Sequence, residues 1–151
     1  MAYVKKCMSD ILVNLQRVKK IYELMLKRVT KVYSMTKNEI DVLLFLANNE
    51  GYDTAKEIVE LRSLSKSHVC KSIGSLSEKG FLLEEKDERD KRCVHLKLDS
   101  SALPIVKEAQ EVQREFIDLL YSGVTIEERN TLERIFEKIS ANIDGVLRDD
   151  I

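Results

Sequence analysis

The sequence predicts a mainly α-helical chain with one small β-hairpin, and three observations carry that expectation. Apolar residues recur at steps of three and four along most of the 151 residues, the period falls to two only after Gly80, and helix breakers are scarce, with one Pro and five Gly. The 44% of apolar residues can fill one core, and the length suits one continuous globular unit.

Met8, Ile11, Leu15, Val18, Tyr22, Met25, Leu26 and Val29 place a long amphipathic helix over residues 8–32, with Lys and Arg between them. Thr36 and Glu39 then form a capping box, and Met35 and Ile40 a hydrophobic staple, so a second helix is expected over residues 37–48. Thr54 and Glu57 repeat the box and open a short third helix that ends near Arg62. Ser65 caps a fourth, whose Val69, Ile73 and Leu76 make one apolar stripe and whose Gly80 supplies a left-handed stop. FLLEEK and CVHLKL read as paired strands, with Val94, Leu96 and Leu98 on one face and Cys93, His95 and Lys97 on the other; His95 is expected to be exposed. The charged run DERDKR, Asp87 to Arg92, is the loop that joins them. From about Ser101 a fifth helix carries Ile105, Val106, Ala109, Val112, Phe116, Leu119 and Leu120, with Pro104 tolerated in its first turn. A third capping box, Thr125 with Glu128, starts a sixth helix bearing Ile126, Leu132, Ile135, Phe136, Ile139, Ile143 and Val146.

The net charge of −1 argues neither for nor against a polyanionic partner, but its distribution is uneven. Residues 1–33 hold 8 basic and 2 acidic side chains and residues 62–98 hold 9 and 6, whereas residues 34–61 hold 2 and 6 and residues 99–151 hold 6 and 12. Cys7, Cys70 and Cys93 are odd in number, widely spaced and not preceded by a secretory segment, so a reduced, cytoplasmic setting without a disulfide framework is expected. No apolar run approaches the roughly 18 to 20 residues of a membrane span. Nothing has the spacing of a zinc site, and there is no glycine-rich phosphate loop, nucleophile elbow or triad. A metal, a cofactor and an enzymatic activity are therefore not expected.

Three short helices followed by a two-stranded hairpin have the connectivity of a winged helix-turn-helix, in which the last of the three enters the major groove and the hairpin reaches the backbone or the minor groove. The fourth helix offers the polar, partly basic face that this requires: Ser65, Lys66, Ser67, His68, Lys71, Ser72 and Ser75. Hydroxyls reach base edges or phosphates, and lysines neutralise phosphates or read guanine. The winged unit is expected over residues 34–99. Residues 1–33 and 100–151 then supply long apolar stripes that lack an intramolecular partner, so they are read as dimerisation helices, with Ile11, Leu15, Val18, Phe116, Leu120, Ile135, Ile139 and Ile143 in the interface. Two recognition helices one DNA turn apart imply a pseudo-palindromic operator.

The stretch LSKSHVCKSIGSLSEKGFLLEEKDERDKRCVHLKL, Leu64 to Leu98, resembles the core of the MarR family of bacterial transcriptional regulators, and DERDKR matches that family's wing pattern Asp-x-Arg-x-x-Arg at Asp87, Arg89 and Arg92. The resemblance implies a homodimeric, ligand-responsive repressor that binds double-stranded DNA, with Arg89 entering the minor groove, Lys91 and Arg92 beside it, and Arg92 held by Asp87 or Asp90. It also implies a small-molecule effector, often amphipathic or phenolic, which the sequence does not identify. Glu84 and Glu85 depart from the basic residues common after the first wing strand, and DSSALP departs from the usual opening of the fifth helix. Two other readings stand beside this one: a winged-helix module that binds protein, and redox sensing through Cys7, Cys70 or Cys93.

Overall fold

The computed structural model describes the backbone of residues 2–62 and 64–149 and the side chains of residues 10–62 and 64–147. The order is α1 (Ala2–Val32), α2 (Lys37–Asn48), α3 (Ala55–Arg62), α4 (Lys66–Glu78), β1 (Leu82–Lys86), β2 (Val94–Leu98), a 3-10 turn (Ser100–Ala102), α5 (Leu103–Leu120) and α6 (Ile126–Asp149). This is the mainly α chain with a hairpin wing that the periodicity predicts. Two compact units make it up, Met1–Arg114 and Glu115–Ile151, with the boundary inside α5. Among the described residues no helix is long and apolar enough to cross a membrane.

Local signals account for most helix starts. Thr36 Oγ1 accepts from the Glu39 amide at 3.2 Å while a Glu39 carboxylate oxygen accepts from the Thr36 amide at 2.6 Å, so both halves of the capping box form. Glu57 likewise accepts from the Asp53 and Thr54 amides, each at 2.9 Å, and Glu128 from the Thr125 amide at 2.8 Å. Gly80 adopts φ +77°, the left-handed stop that ends α4. The end of α1 is less legible, because the left-handed position there is Ser34, at φ 51°. The Met35 amide reaches back to the Thr30 carbonyl at 2.9 Å and offsets that backbone cost.

In the first unit, Ile40, Leu43, Leu44 and Phe45 of α2 are buried against Ile58 of α3, Val69, Ile73 and Leu76 of α4, and Leu82 and Leu96 of the hairpin. Burial of a ring such as Phe45 contributes on the order of 2–3 kcal/mol. Leu26 and Val29 of α1 and Ile105, Val106, Ala109 and Val112 of α5 belong to the same core. The expectation that the flanking stripes lack any intramolecular partner is therefore corrected. The end of α1 and the start of α5 complete the core around α2, because α2 is buried on Val42 and Leu44 as well as on its Ile40 side and needs cover on both. Exposed apolar side chains remain farther out on α1, at Ile11, Leu12, Leu15 and Leu24.

In the second unit, Arg129 of α6 lies 4.5 Å from the centroid of the Tyr121 ring and donates to the Tyr121 carbonyl at 3.1 Å, fixing the turn between α5 and α6. Ile126, Ile135, Phe136, Ile139, Ile143 and Val146 of α6 are all exposed.

The wing is antiparallel, with Leu82 opposite Leu98 and Lys86 opposite Val94. A further pairing joins it to the helices: Thr54 bridges His95, and the Leu96 amide donates to the Asp53 carbonyl at 2.7 Å. This contact is two residues long, too short to leave an alternation in the sequence.

Candidate nucleic-acid interface

Helix α4 starts at Ser65, whose hydroxyl accepts from the His68 amide at 3.2 Å. Its first turn holds no acidic residue, so the positive end of the helix dipole and Lys66 add rather than cancel. Ser65, Lys66, Ser67, His68 and Lys71 are exposed. Ser72 and Ser75 are not part of that exposed face, which corrects their expected placement. Ser72 falls three residues after Val69 and beside Ile73, and so shares the buried stripe at 5% exposure. Ser75 turns toward α2, where its hydroxyl donates to Glu39 at 2.6 Å.

Glu39 therefore has two roles. It caps α2 and also ties α2 to α4, since Lys79 Nζ lies 2.8 Å from the same carboxylate oxygen that Ser75 reaches. Only the first role is visible in the sequence, because the partners lie 36 and 40 residues away. Burial alone raises this carboxyl's pKa, but the bonds from Lys79, Ser75 and Thr36 outweigh it and hold the pKa at about 2. A depressed folded pKa gives stability that is complete above the ordinary 4.5 and is lost as pH falls toward about 2. In acid titrations followed by circular dichroism, Glu39→Gln is expected to flatten that limb of the stability curve. An unchanged limb would show that Glu39 does not supply it. Thr36, Asn38 and Glu39 together with His68, Lys71, Ser72 and Ser75 line a cleft of about 390 Å³.

The wing tip is shaped by its aspartates acting on main chain. Asp87 Oδ1 accepts from the amides of Arg89 and Asp90, both at 2.7 Å, and Asp90 Oδ1 accepts from the Arg92 amide at 3.0 Å. The Asp90 and Arg89 amides, with His95, hold the Asp87 carboxyl below its usual range. The expectation that an aspartate grips the Arg92 guanidinium is corrected: Asp90 holds the Arg92 amide, and among the described residues that side chain has no ion pair. Carboxylates within two or three residues meet the amides of a tight turn more readily than a long side chain. Arg89, Lys91 and Arg92 are exposed.

The two glutamates of β1 are engaged locally. Ser77 Oγ donates to Glu84 at 2.6 Å, and Lys97 Nζ pairs with Glu85 at 2.7 Å. The expected exposure of His95 is also corrected, since the imidazole lies between Asp53 and Asp87. Asp53 lies 42 residues away in sequence, and its approach depends on the short Thr54–His95 bridge.

Cys70 is exposed, and Cys93 is half-buried, with its thiol pKa pushed up by burial and by Asp87, Asp90, Asp53 and Glu57. That environment suppresses the reactive thiolate at Cys93. The side chain of Cys7 lies outside the described residues. Among those described, no group of His, Cys, Asp and Glu is placed to hold a metal. Of the residues read as a dimer interface, Ile11, Leu15, Leu120, Ile135, Ile139 and Ile143 are exposed, and Val18 and Phe116 are half-buried.

The MarR family pattern matches residues 33–92, a span that runs from just after α1 to the wing turn, ending short of β2. The chain is 23% identical over 87 residues to the transcriptional repressor MprA of Escherichia coli, a match covering 58% of this chain and 49% of that protein. It thus spans about half the length of that relative. It is 32% identical over 83 residues to the HTH-type transcriptional regulator SarT of Staphylococcus aureus, covering 53% of this chain and 70% of that one. Among solved structures, the fold matches Staphylococcus aureus MepR in its DNA complex with a TM-score of 0.73 at 16% identity, covering 86% of this chain and 96% of that one. It matches Bordetella bronchiseptica BpsR, whose DNA binding is regulated by 6-hydroxynicotinic acid, with a TM-score of 0.69 at 18% identity, covering 87% and 98%.

Proposed function

The chain belongs to the MarR family of transcriptional regulators, and from that premise we propose that it is a homodimeric repressor of double-stranded DNA with a pseudo-palindromic operator. The observation that carries this reading is the pair of cationic elements with no ion pair among the described residues: Lys66 and Lys71 on an exposed α4, and Arg89, Lys91 and Arg92 on a wing turn preset by Asp87 and Asp90. Residues 34–99 are the reading unit, with Ser65, Ser67 and His68 beside the lysines in the major groove and Arg89 in the minor groove. Residues 1–33 and 100–151 are the dimer arms. Repression is supported by the similarity to MprA, a transcriptional repressor, and duplex binding by the MepR complex. Response to a small molecule is supported by BpsR, and such a ligand acts by favouring one spacing of the two reading units over another. The protein works in the cytoplasm, where its DNA is.

A protein-docking wing would draw on Glu84, Glu85 and the near-neutral net charge, and the engagement of the two glutamates by Ser77 and Lys97 favours the DNA reading over it. The test is a titration of a duplex taken from the chain's own upstream region against a scrambled duplex of equal length. Preference for the upstream duplex is expected, with log affinity falling linearly in log salt as phosphates are neutralised. Equal, weak binding to both duplexes would sink the proposal.

A further inference from the structure

His95 has about a third of its side chain exposed, and both of its ring nitrogens face carboxylates. Nδ1 lies 2.7 Å from Asp53 Oδ1 and Nε2 lies 3.3 Å from Asp87 Oδ2. A neutral imidazole has one N–H and one lone pair, so it satisfies one carboxylate and turns a lone pair on the other. Only the imidazolium donates to both. The two carboxylates also belong to different parts of the fold. Asp53 lies two residues before α3, where its carbonyl accepts from the Leu96 amide, whereas Asp87 holds the Arg89 and Asp90 amides at the wing tip. A single ring thus links the start of α3 to the turn that carries Arg89.

We propose that His95 is a pH-operated positioning residue, which in its protonated form clamps the wing turn to the start of α3 and so presets Arg89 for DNA. The inference rests on the DNA-binding reading above. The charged groups around the ring favour protonation. Asp53 and Glu57 lie at the start of α3, Asp87 and Asp90 in the wing turn, and Glu85 directly opposite on β1, paired with Lys97. Glu57 is committed to the Asp53 and Thr54 amides, which leaves the two aspartates to face the ring. Hydrogen bonds to Asp53 and then Asp87 hold the His95 pKa above its ordinary 6.5, against the opposing effect of burial. A raised folded pKa makes the clamp complete below 6.5 and loosens it as pH rises through the raised value.

The chain has two histidines, which gives the experiment its control. Wild type, His68→Gln and His95→Gln are titrated with the upstream duplex at constant ionic strength between about pH 6 and 8.5. Wild type is expected to lose roughly tenfold in affinity across that range, the scale of one charge-assisted hydrogen bond, and His68→Gln a similar factor from a lower starting affinity, since His68 is itself read as a groove contact; His95→Gln is expected to keep most of its affinity across the range. A DNA-free measurement runs in parallel: in NMR titrations the Arg89 and Asp90 amides should shift with the midpoint of the His95 ring. A wild-type pH response in His95→Gln, or amides that ignore the ring, would overturn the clamp. If no variant prefers the upstream duplex at any pH, the regulator reading falls, and the amide titration still decides whether His95 grips the wing.

Discussion

Alanine at both Lys71 and Arg89 is expected to lower affinity for the upstream duplex by about 100-fold or more while leaving folding unchanged. Each side chain is exposed, and neither has an ion-pair partner among the described residues, so its removal costs the fold no more than about 0.5 kcal/mol. Their worth is reserved for the complex. A lysine on phosphate and an arginine in a groove are each worth on the order of 1–3 kcal/mol, and a symmetric dimer loses both contacts twice. Fluorescence anisotropy reads the affinity and thermal unfolding reads the fold. The loss should be accompanied by a shallower salt dependence, because fewer counterions are released. Affinity within a few-fold of wild type would remove Lys71 and Arg89 from the contact surface and leave the wing as a solvated turn.

The wing also shows what can be read from the chain alone. Asp87 and Asp90 were legible as the residues that brace the wing but were read as holding the Arg92 side chain; they hold main chain instead, because a short carboxylate acts on amides two or three residues away. The capping boxes at Thr36, Thr54 and Thr125 were legible for the same reason, as was Gly80, whose lack of a Cβ admits a positive φ. These signals fixed the order of six helices and a hairpin. The features that were not legible are tertiary. Ser72 and Ser75 look like surface residues by composition, and only the position of the Val69, Ile73 and Leu76 stripe against α2 turns them inward. Glu39 reads as a cap and proves also to be the counter-ion of Lys79, 40 residues on. His95 sits on what alternation makes a solvent face, yet Asp53 reaches it from another element. In each case the local rule was satisfied and a second role was added by a partner distant in sequence, so nothing nearby could signal it.

Aspartate at both Ile139 and Ile143 is expected to convert a dimer into a chain of the 17.4 kDa monomer mass, read by light scattering after size exclusion. Ile135, Ile139 and Ile143 recur every fourth residue of α6 and are 48%, 44% and 53% exposed, with Phe136 at 51% beside them. A continuous apolar stripe of this kind on a 24-residue helix is stable in water only when it is covered. Symmetry supplies the cover most economically, because one self-complementary patch seals two copies. It also doubles the effect of a substitution: two carboxylates per chain become four in one interface, and each costs several kcal/mol to bury without a partner. The described core residues of the first unit include none from α6, so the winged unit should survive the change. Operator affinity should also fall, since a lone reading unit loses the roughly 10²–10⁴ gain of bivalent binding. A double-aspartate variant that still runs at twice the chain mass would place the dimer elsewhere. A wild-type protein that is monomeric at micromolar concentration would end the two-fold reading of the operator along with it.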